Sequence, residues 1–305
     1  MIKFNRNYRI TIDGTDQYPE TIVIEYPMTL QFTVDRDMGT SLNTMTCQIF
    51  NLNEETRRKI FQDRYGYFQG LGGNLGYRRI TLEAGYGTDL SLIFAGNLFE
   101  ASSARQGSNI ITFISCRDGG FDTNISQMSE AFKPGTTMGE VLQFMVTQFP
   151  NLEIGAAKLD GETLSYTFKR GVSISDNVWD AMQRYFDNNV FIDQEKVHLI
   201  EKNQYIEYPG QISLINADTG LLNTPRRNQN YLSIETLFEP RIKMGQMIAL
   251  ESTIQPIYNG TYKVCAIMHA GDISGSISGQ CRTRLGLLID GQAFGKFEPV
   301  PLVKQ

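Results

Sequence analysis

Histidine and tryptophan are almost missing from this chain: His198, His269 and one tryptophan stand among 305 residues. Neither histidine lies in an H-E-x-x-H run or beside a cysteine at metal-ligand spacing, so the common zinc frameworks are excluded. Cysteine is sparse too. Cys47, Cys116, Cys265 and Cys281 are far apart and form no C-x-x-C pair, which points to buried free thiols rather than a disulfide framework or a metal knot. No run of about 18 apolar residues occurs, which excludes a spanning helix and a helical membrane anchor. The opening run Met1-Ile2-Lys3-Phe4-Asn5-Arg6-Asn7-Tyr8 lacks the long apolar centre of a secretion signal, so a cytoplasm is the expected place of synthesis and assembly. Positive charge is not in excess: the net charge is -5. The runs Arg57-Arg58-Lys59, Arg78-Arg79 and Arg226-Arg227 are too short for a phosphate-tracking surface and read as solvated faces or rim contacts.

Catalytic constellations are equally thin. There is no G-x-S-x-G, because Gly271-Asp272-Ile273-Ser274-Gly275 and Gly275-Ser276-Ile277-Ser278-Gly279 both misplace the serine. Asp35, Asp37, Glu54 and Glu55 are candidates for a glycosidase pair by type alone, in a chain with 33 acidic residues. The loop Gly70-Leu71-Gly72-Gly73-Asn74-Leu75-Gly76 puts Leu75 where G-x-G-x-x-G needs its third glycine, so it reads as a connection between strands. No enzyme activity, cofactor or metal is expected.

What the chain does have is strand patterning. With 41% hydrophobic and 20% charged residues it is an ordinary globular composition, long enough for two or three domains. Tyr8–Ile12, Thr21–Tyr26, Leu30–Val34 and Thr44–Phe50 read as strands, as do Arg79–Gly85, Leu90–Phe99 and Asn109–Cys116. A helix is predicted from the cap Asn53 to near Tyr65. The middle of the chain changes period. Thr137-Met138-Gly139-Glu140 fits a capping box ahead of a helix that runs to Pro150, and Ser175 is a candidate cap for a second helix carrying Val178, Trp179, Met182, Tyr185 and Phe186. Val190–Asp193 and Lys196–Glu201 then pair as a hairpin around Gln194-Glu195, and His198 in it reads as a surface or rim imidazole.

The last third is punctuated most sharply. It runs Gly220-Leu221-Leu222-Asn223-Thr224-Pro225, then Pro240 to Gly245, then Asn259-Gly260, then His269-Ala270-Gly271-Asp272. Pro240 holds Glu239 extended, Gly245 can take φ > 0, and Asn259-Gly260 signals a hairpin. His269 and Asp272 read as a strand-to-turn element bonding turn backbone. Ile80-Thr81-Leu82-Glu83 is echoed by Ile248-Ala249-Leu250-Glu251, and the run around Gly96 by the run around Gly260, which points to an internal duplication.

The order of these marks, together with the Asn51-Leu52-Asn53 helix start and the Glu83-Ala84-Gly85-Tyr86 turn, resembles the bacteriophage tail baseplate hub proteins of the late-control-protein-D type. The resemblance implies an α+β, mainly β fold: a tube-like antiparallel β-barrel over 1–125, an inserted α/β module of two helices and a hairpin over 126–205, a second, similar barrel over 206–290, and an extended tail over 291–305. Its family marks are Gly85, Gly96, Gly220, Pro225, Pro240, Gly245, Gly260, His269 and Asp272. It also implies a structural virion protein, a homotrimer whose six barrels ring the DNA channel between the tail tube protein above and a spike or needle protein below, beside other baseplate proteins. Rival readings are a tail tube or distal tail ring protein and a tail-associated wall-degrading enzyme.

Overall fold

The computed structural model describes residues 5–14, 18–39, 41–61, 77–157, 162–186, 189–201, 204–209, 213–228, 231–275 and 279–289. The glycine loop over 70–76 and the tail over 291–305 lie outside them. In the first part β1 (Arg6–Ile12), β2 (Ile22–Glu25), β3 (Leu30–Asp37), β4 (Thr44–Phe50), α1 (Glu54–Ile60), β5 (Arg79–Tyr86), β6 (Asp89–Gln106) and β7 (Asn109–Arg117) follow one another. The strands alternate buried and exposed residues, as a sheet with one covered face requires. Asn53 caps α1 as expected, accepting from Thr56 N at 2.7 Å. The helix stops at Ile60 rather than near Tyr65, because Phe61 leaves helical geometry with ψ 128°.

A middle layer follows: α2 (Gly120–Ile125), β8 (Gln127–Phe132), α3 (Met138–Thr147), β9 (Glu153–Ala157), α4 (Glu162–Ser165), β10 (Val172–Asn177), α5 (Val178–Phe186), β11 (Val190–Asp193) and β12 (Lys196–Leu199). The capping box of Thr137 and Glu140 forms, with Glu140 N to Thr137 Oγ1 at 3.2 Å and Thr137 N to Glu140 Oε2 at 2.7 Å. The second helix is capped differently. Ser175 lies within β10, and Asn177 accepts instead from Trp179 N and Asp180 N at 2.9 and 3.2 Å. The β11–β12 hairpin turns at Gln194 and Glu195, both with positive φ (53° and 63°), the backbone of a tight two-residue turn.

The last part comprises β13 (Ser213–Ile215), β14 (Arg226–Asn228), β15 (Tyr231–Leu237), β16 (Met247–Leu250), β17 (Gly260–Ile273) and β18 (Cys281–Leu288). Thirteen strands from the first and last parts join in one sheet. Its first half is ordered β3-β4-β7-β6-β5-β1-β2 and its second half β14-β15-β18-β17-β16-β13, so six strands of each half repeat one neighbour order, although β13 runs parallel to β16 where β1 runs antiparallel to β5. The expected closed barrels are not what the described residues form: β17 pairs with β3 from Ala266↔Asp37 to Ile273↔Leu30, and this seam fuses both halves into one sheet. An unpaired edge exposes main-chain N–H and C=O groups, and here each half covers the other's edge.

The repeat also sets the register. Arg79↔Asn97 and Asn97↔Arg117 in the first half correspond to Met247↔Lys263 and Lys263↔Leu288 in the second. A bulge follows in both long strands, at Phe99 in β6 and at Cys265 in β17. The echo of Ile80–Glu83 in Ile248–Glu251 therefore falls on equivalent positions. The second echo does not, because Ile80 faces Gly96 while Ile248 faces Tyr262, which puts Gly260 two residues away from the position of Gly96.

Three apolar cores lie under these layers. The first gathers Tyr8, Ile10, Leu30, Phe32, Ile49 and Phe94, the second the helices and hairpin of the middle layer, and the third Leu232, Ile234, Ile248, Ile267 and Leu285. They interlock. Phe238, Ile273 and Cys281 from the last part pack in the first core, where Phe238 meets Phe32 edge-on at 6.0 Å.

Candidate functional site, an assembly interface

Among the described residues, strand alternation leaves one face of the sheet bare. Phe32, Val34, Met45, Cys47, Ile267 and His269 point into the cores, while the residues between them, among them Gln31, Thr33, Thr46, Gln48 and Asp272, stay at least partly exposed. A shallow hollow of about 510 Å³ crosses the seam on this face, between Gln31, Gln48, Glu100, Phe113 and Asp272. A second, of about 850 Å³, lies beside Asp35, Asp37, Met268 and Arg284. The charges are mixed. Arg282 bonds Glu235 at 2.7 Å and Arg284 lies 4.0 Å from it, so these guanidinium groups do not form a free basic track. Partial burial, and then neighbouring Asp37, raise the Asp35 pKa.

The opposite face carries the middle layer. Asp118 at the end of β7 accepts Gln194 N at 2.6 Å and Glu195 N at 2.9 Å, which clamps the β11–β12 turn to the sheet. Buried Arg36 of β3 bonds Asp193 at 3.3 Å, and Asn43 donates to Ile192 O at 2.8 Å and to Asp193 at 3.1 Å. Glu195 binds Arg79 at 2.7 Å and Tyr77. Burial, with Asp193 close by, raises the pKa of Asp118 well above the usual carboxylate value, although its two N–H donors favour the charged form. This network joins layers. Neither hollow is lined by it, and among the described residues no group of three His, Cys, Asp or Glu side chains is placed to hold a metal ion.

The family model described as Baseplate hub gp41 matches residues 8–270. The chain belongs to the Baseplate hub gp41 family. The hub chain also resembles solved structures at the level of fold. A 43 kDa tail protein of prophage MuSo2 from Shewanella oneidensis matches with TM-score 0.59 and 8% identity, over 92% of this chain and 96% of its own. A tail protein from Neisseria meningitidis MC58 matches with TM-score 0.55 and 10% identity, over 94% and 98%. A type VI secretion component of E. coli, described as similar to T4 tail proteins gp27 and gp5, matches with TM-score 0.58 and 7% identity, over 87% and 75%. No curated protein matches the hub chain in sequence. The protein is a bacteriophage tail baseplate structural protein by family.

The family marks fall at different places in the hub chain. Gly85 is inside β5, where a Cβ would meet Asp89 O at 2.0 Å, and the turn itself is at Gly87 (φ 59°). Gly96 lies within β6. Gly220 ends a turn whose N–H donates to Asn216 O at 3.1 Å, and Pro225 is buried next to β14. Pro240 is buried after β15, and Gly245 turns at φ 73° with Ile206 against it. Asn259-Gly260 is not a tight hairpin turn. Asn259 has φ -69° after a short 3-10 turn at Pro256–Tyr258, and Gly260 opens β17 with near-extended backbone.

His269 to Asp272 lie in the final stretch of β17, which ends at Ile273, and Asp272 N donates to Gln280 O at 3.0 Å across the connection to β18. The His269 ring is wholly buried and bonds the Thr283 hydroxyl at 2.9 Å, and burial holds its pKa well below the ordinary value. His198 is also buried rather than at a rim: Nδ1 accepts Ala156 N at 2.9 Å and the ring stacks on Phe191 at 5.1 Å. Sequence reasoning missed the clamp of Asp118, Arg36 and Asp193. Only the close run Cys116-Arg117-Asp118-Gly119-Gly120, a strand ending on a carboxylate and two glycines, marked it.

Proposed function

We propose that the protein is the hub of a phage baseplate: three copies form a ring of six similar units that joins the sixfold tail tube to a threefold spike and lines the channel for DNA. The observation that carries this reading is the repeated strand order, which lets one chain supply two equivalent units, so that three chains mimic sixfold symmetry. In this reading 1–125 and 206–290 are the ring units, 126–205 is a module outside the ring, and 291–305 is a tail.

The bare polar face supports an orientation as well. The clamp ties the middle layer to the other side of the sheet, which leaves the bare face as the side with room for a channel. Its mixed charges suit passage of DNA, since a strongly basic lining would hold phosphates by counterion release and stall them. Assembly takes place in the host cytoplasm. Tube protein above, spike or needle below and other baseplate proteins are the partners.

Sedimentation of the purified chain, followed by end-on imaging of the particles, tests the reading. A trimer with six similar lobes is expected, and a stable monomer at micromolar concentration would overturn it. Zymography on cell-wall material is expected to show no clearing, which separates the hub from a wall-degrading enzyme.

A further inference from the structure

Two strand edges stand open in a related way. Along its first half β6 pairs with β5, up to Arg79↔Asn97, and Leu98 N donates to Arg78 O at 2.8 Å. From Glu100 to Gln106 that side of β6 has no strand partner among the described residues, and Ser103, Ala104, Arg105 and Gln106 are exposed. At the far end of the sheet β14 pairs, among the described residues, only with β15, and Arg226, Arg227 and Asn228 are all exposed.

The repeat says what each edge fits. In β17 the stretch equivalent to Glu100–Gln106 is Ala266–Asp272, and its partner on that side is β3. The strand equivalent to β3 in the second half is β14: Asp35↔Thr44 in the first half matches Asn228↔Tyr231 in the second. The chain thus makes one joint of this kind within itself and carries the two unlike halves of another. They lie at separate edges of one molecule's sheet.

We propose that the β6 edge of one copy pairs antiparallel with β14 of a second copy. The in-chain register transfers directly: Met268↔Asp35, His269↔Val34 and Ala270↔Thr33 become Ser102 opposite Asn228, Ser103 opposite Arg227 and Ala104 opposite Arg226. Small side chains on β6 leave space for the long ones of β14. Because the two edges differ, the contact is head to tail and repeats with a single sense of rotation until the ring closes. Both open edges are then covered. This inference rests on the ring reading above.

Paired cysteines in the full-length chain test it. Opposed residues of an antiparallel pair lie about 4.5–5.5 Å apart at Cα, within disulfide range. Ser102→Cys with Asn228→Cys, and separately Ser103→Cys with Arg227→Cys, are oxidised with copper phenanthroline and run on non-reducing gels. The pair Gln106→Cys with Asn228→Cys, four residues out of register, is the control. The native thiols compete little: Cys47, Cys116 and Cys281 are buried, and burial pushes Cys265 up to about 11. A covalent ladder ending at trimer is expected from at least one in-register pair and not from the control, with thermal melts showing that each variant folds. Trimers in sedimentation without an in-register cross-link overturn the inference and leave the ring reading standing. Monomers throughout overturn both, and cross-linking to a foreign strand in place of a second copy overturns the choice of partner.

Discussion

Ser103 and His269 occupy equivalent positions in the two halves of the sheet, and each bonds the threonine across from it: Ser103 to Thr112 at 3.0 Å, His269 to Thr283 at 2.9 Å. Both threonines are fully buried, but Ser103 is exposed on the open edge while His269 is covered by β3. One position in a repeat has thus become a buried imidazole at a closed joint and a small hydroxyl at an open one.

The imidazole at that joint ties stability to pH. Burial depresses the folded-state pKa of His269 below its ordinary 6.5, so the stabilisation is present above that value and is lost as pH falls toward the folded pKa. Stability of the wild type should fall below pH about 6.5, by up to about 1.4 kcal/mol per pH unit for this one proton. His269→Gln keeps a polar partner for Thr283 and should flatten that slope. Urea melts of both proteins between pH 5 and 7.5 measure the difference, and parallel curves would exclude the role.

Gly245 and Gly260 should respond differently to valine. Gly245 sits at φ 73° with Ile206 2.9 Å from the place of a Cβ, whereas Gly260 is nearly extended with only ordinary contacts to Tyr262. Gly245→Val is expected to lose about 1–3 kcal/mol, and Gly260→Val, with φ at 159° and no close contact, to lose less. Thermal unfolding of the two variants distinguishes them.

Breaking the clamp should cost more than a surface pair. Arg36 and Asp193 are both buried, so Asp193→Ala strands a guanidinium and should destabilise by about 3–5 kcal/mol. Arg36→Met combined with Asp193→Leu should recover part of the loss. Double-mutant analysis by denaturant unfolding gives the coupling.

Phe238, from the last part of the chain, is anchored in the first core by Phe32 and Tyr86 and also meets His269. Phe238→Ala should cost about 3–5 kcal/mol and raise amide exchange in β3 as well as in β15. Exchange confined to β15 would mean that the halves unfold independently.

Turning the bare face basic tests its place in the channel. Gln31→Lys with Asp272→Lys adds charge on both sides of the seam. Particles carrying both are expected to assemble and to release DNA more slowly, with purified protein gaining salt-sensitive duplex binding. Unchanged release in an ejection assay would move the channel elsewhere.

Local chemistry was readable in the sequence wherever neighbours in the chain decide it. Asn53 and Thr137 cap their helices because a cap needs only the next three residues, and Gln194-Glu195 turns because its flanking strands are adjacent. Ser175 lost its helix to Asn177 because β10 continues through it to pair with β8. The two histidines were misread because period-two alternation shows that a residue leaves one face, not what will cover it.

By itself the sequence determined the strands of the first part, the β11–β12 hairpin, the capped helices, the lack of a metal or nucleophile motif, and one of the two echoes between the halves. The tertiary structure alone decided that the two halves share one sheet. Strand edges are satisfied by backbone groups, which every residue but proline offers alike, so no side-chain pattern could say that β3 would meet β17 rather than close on its own half.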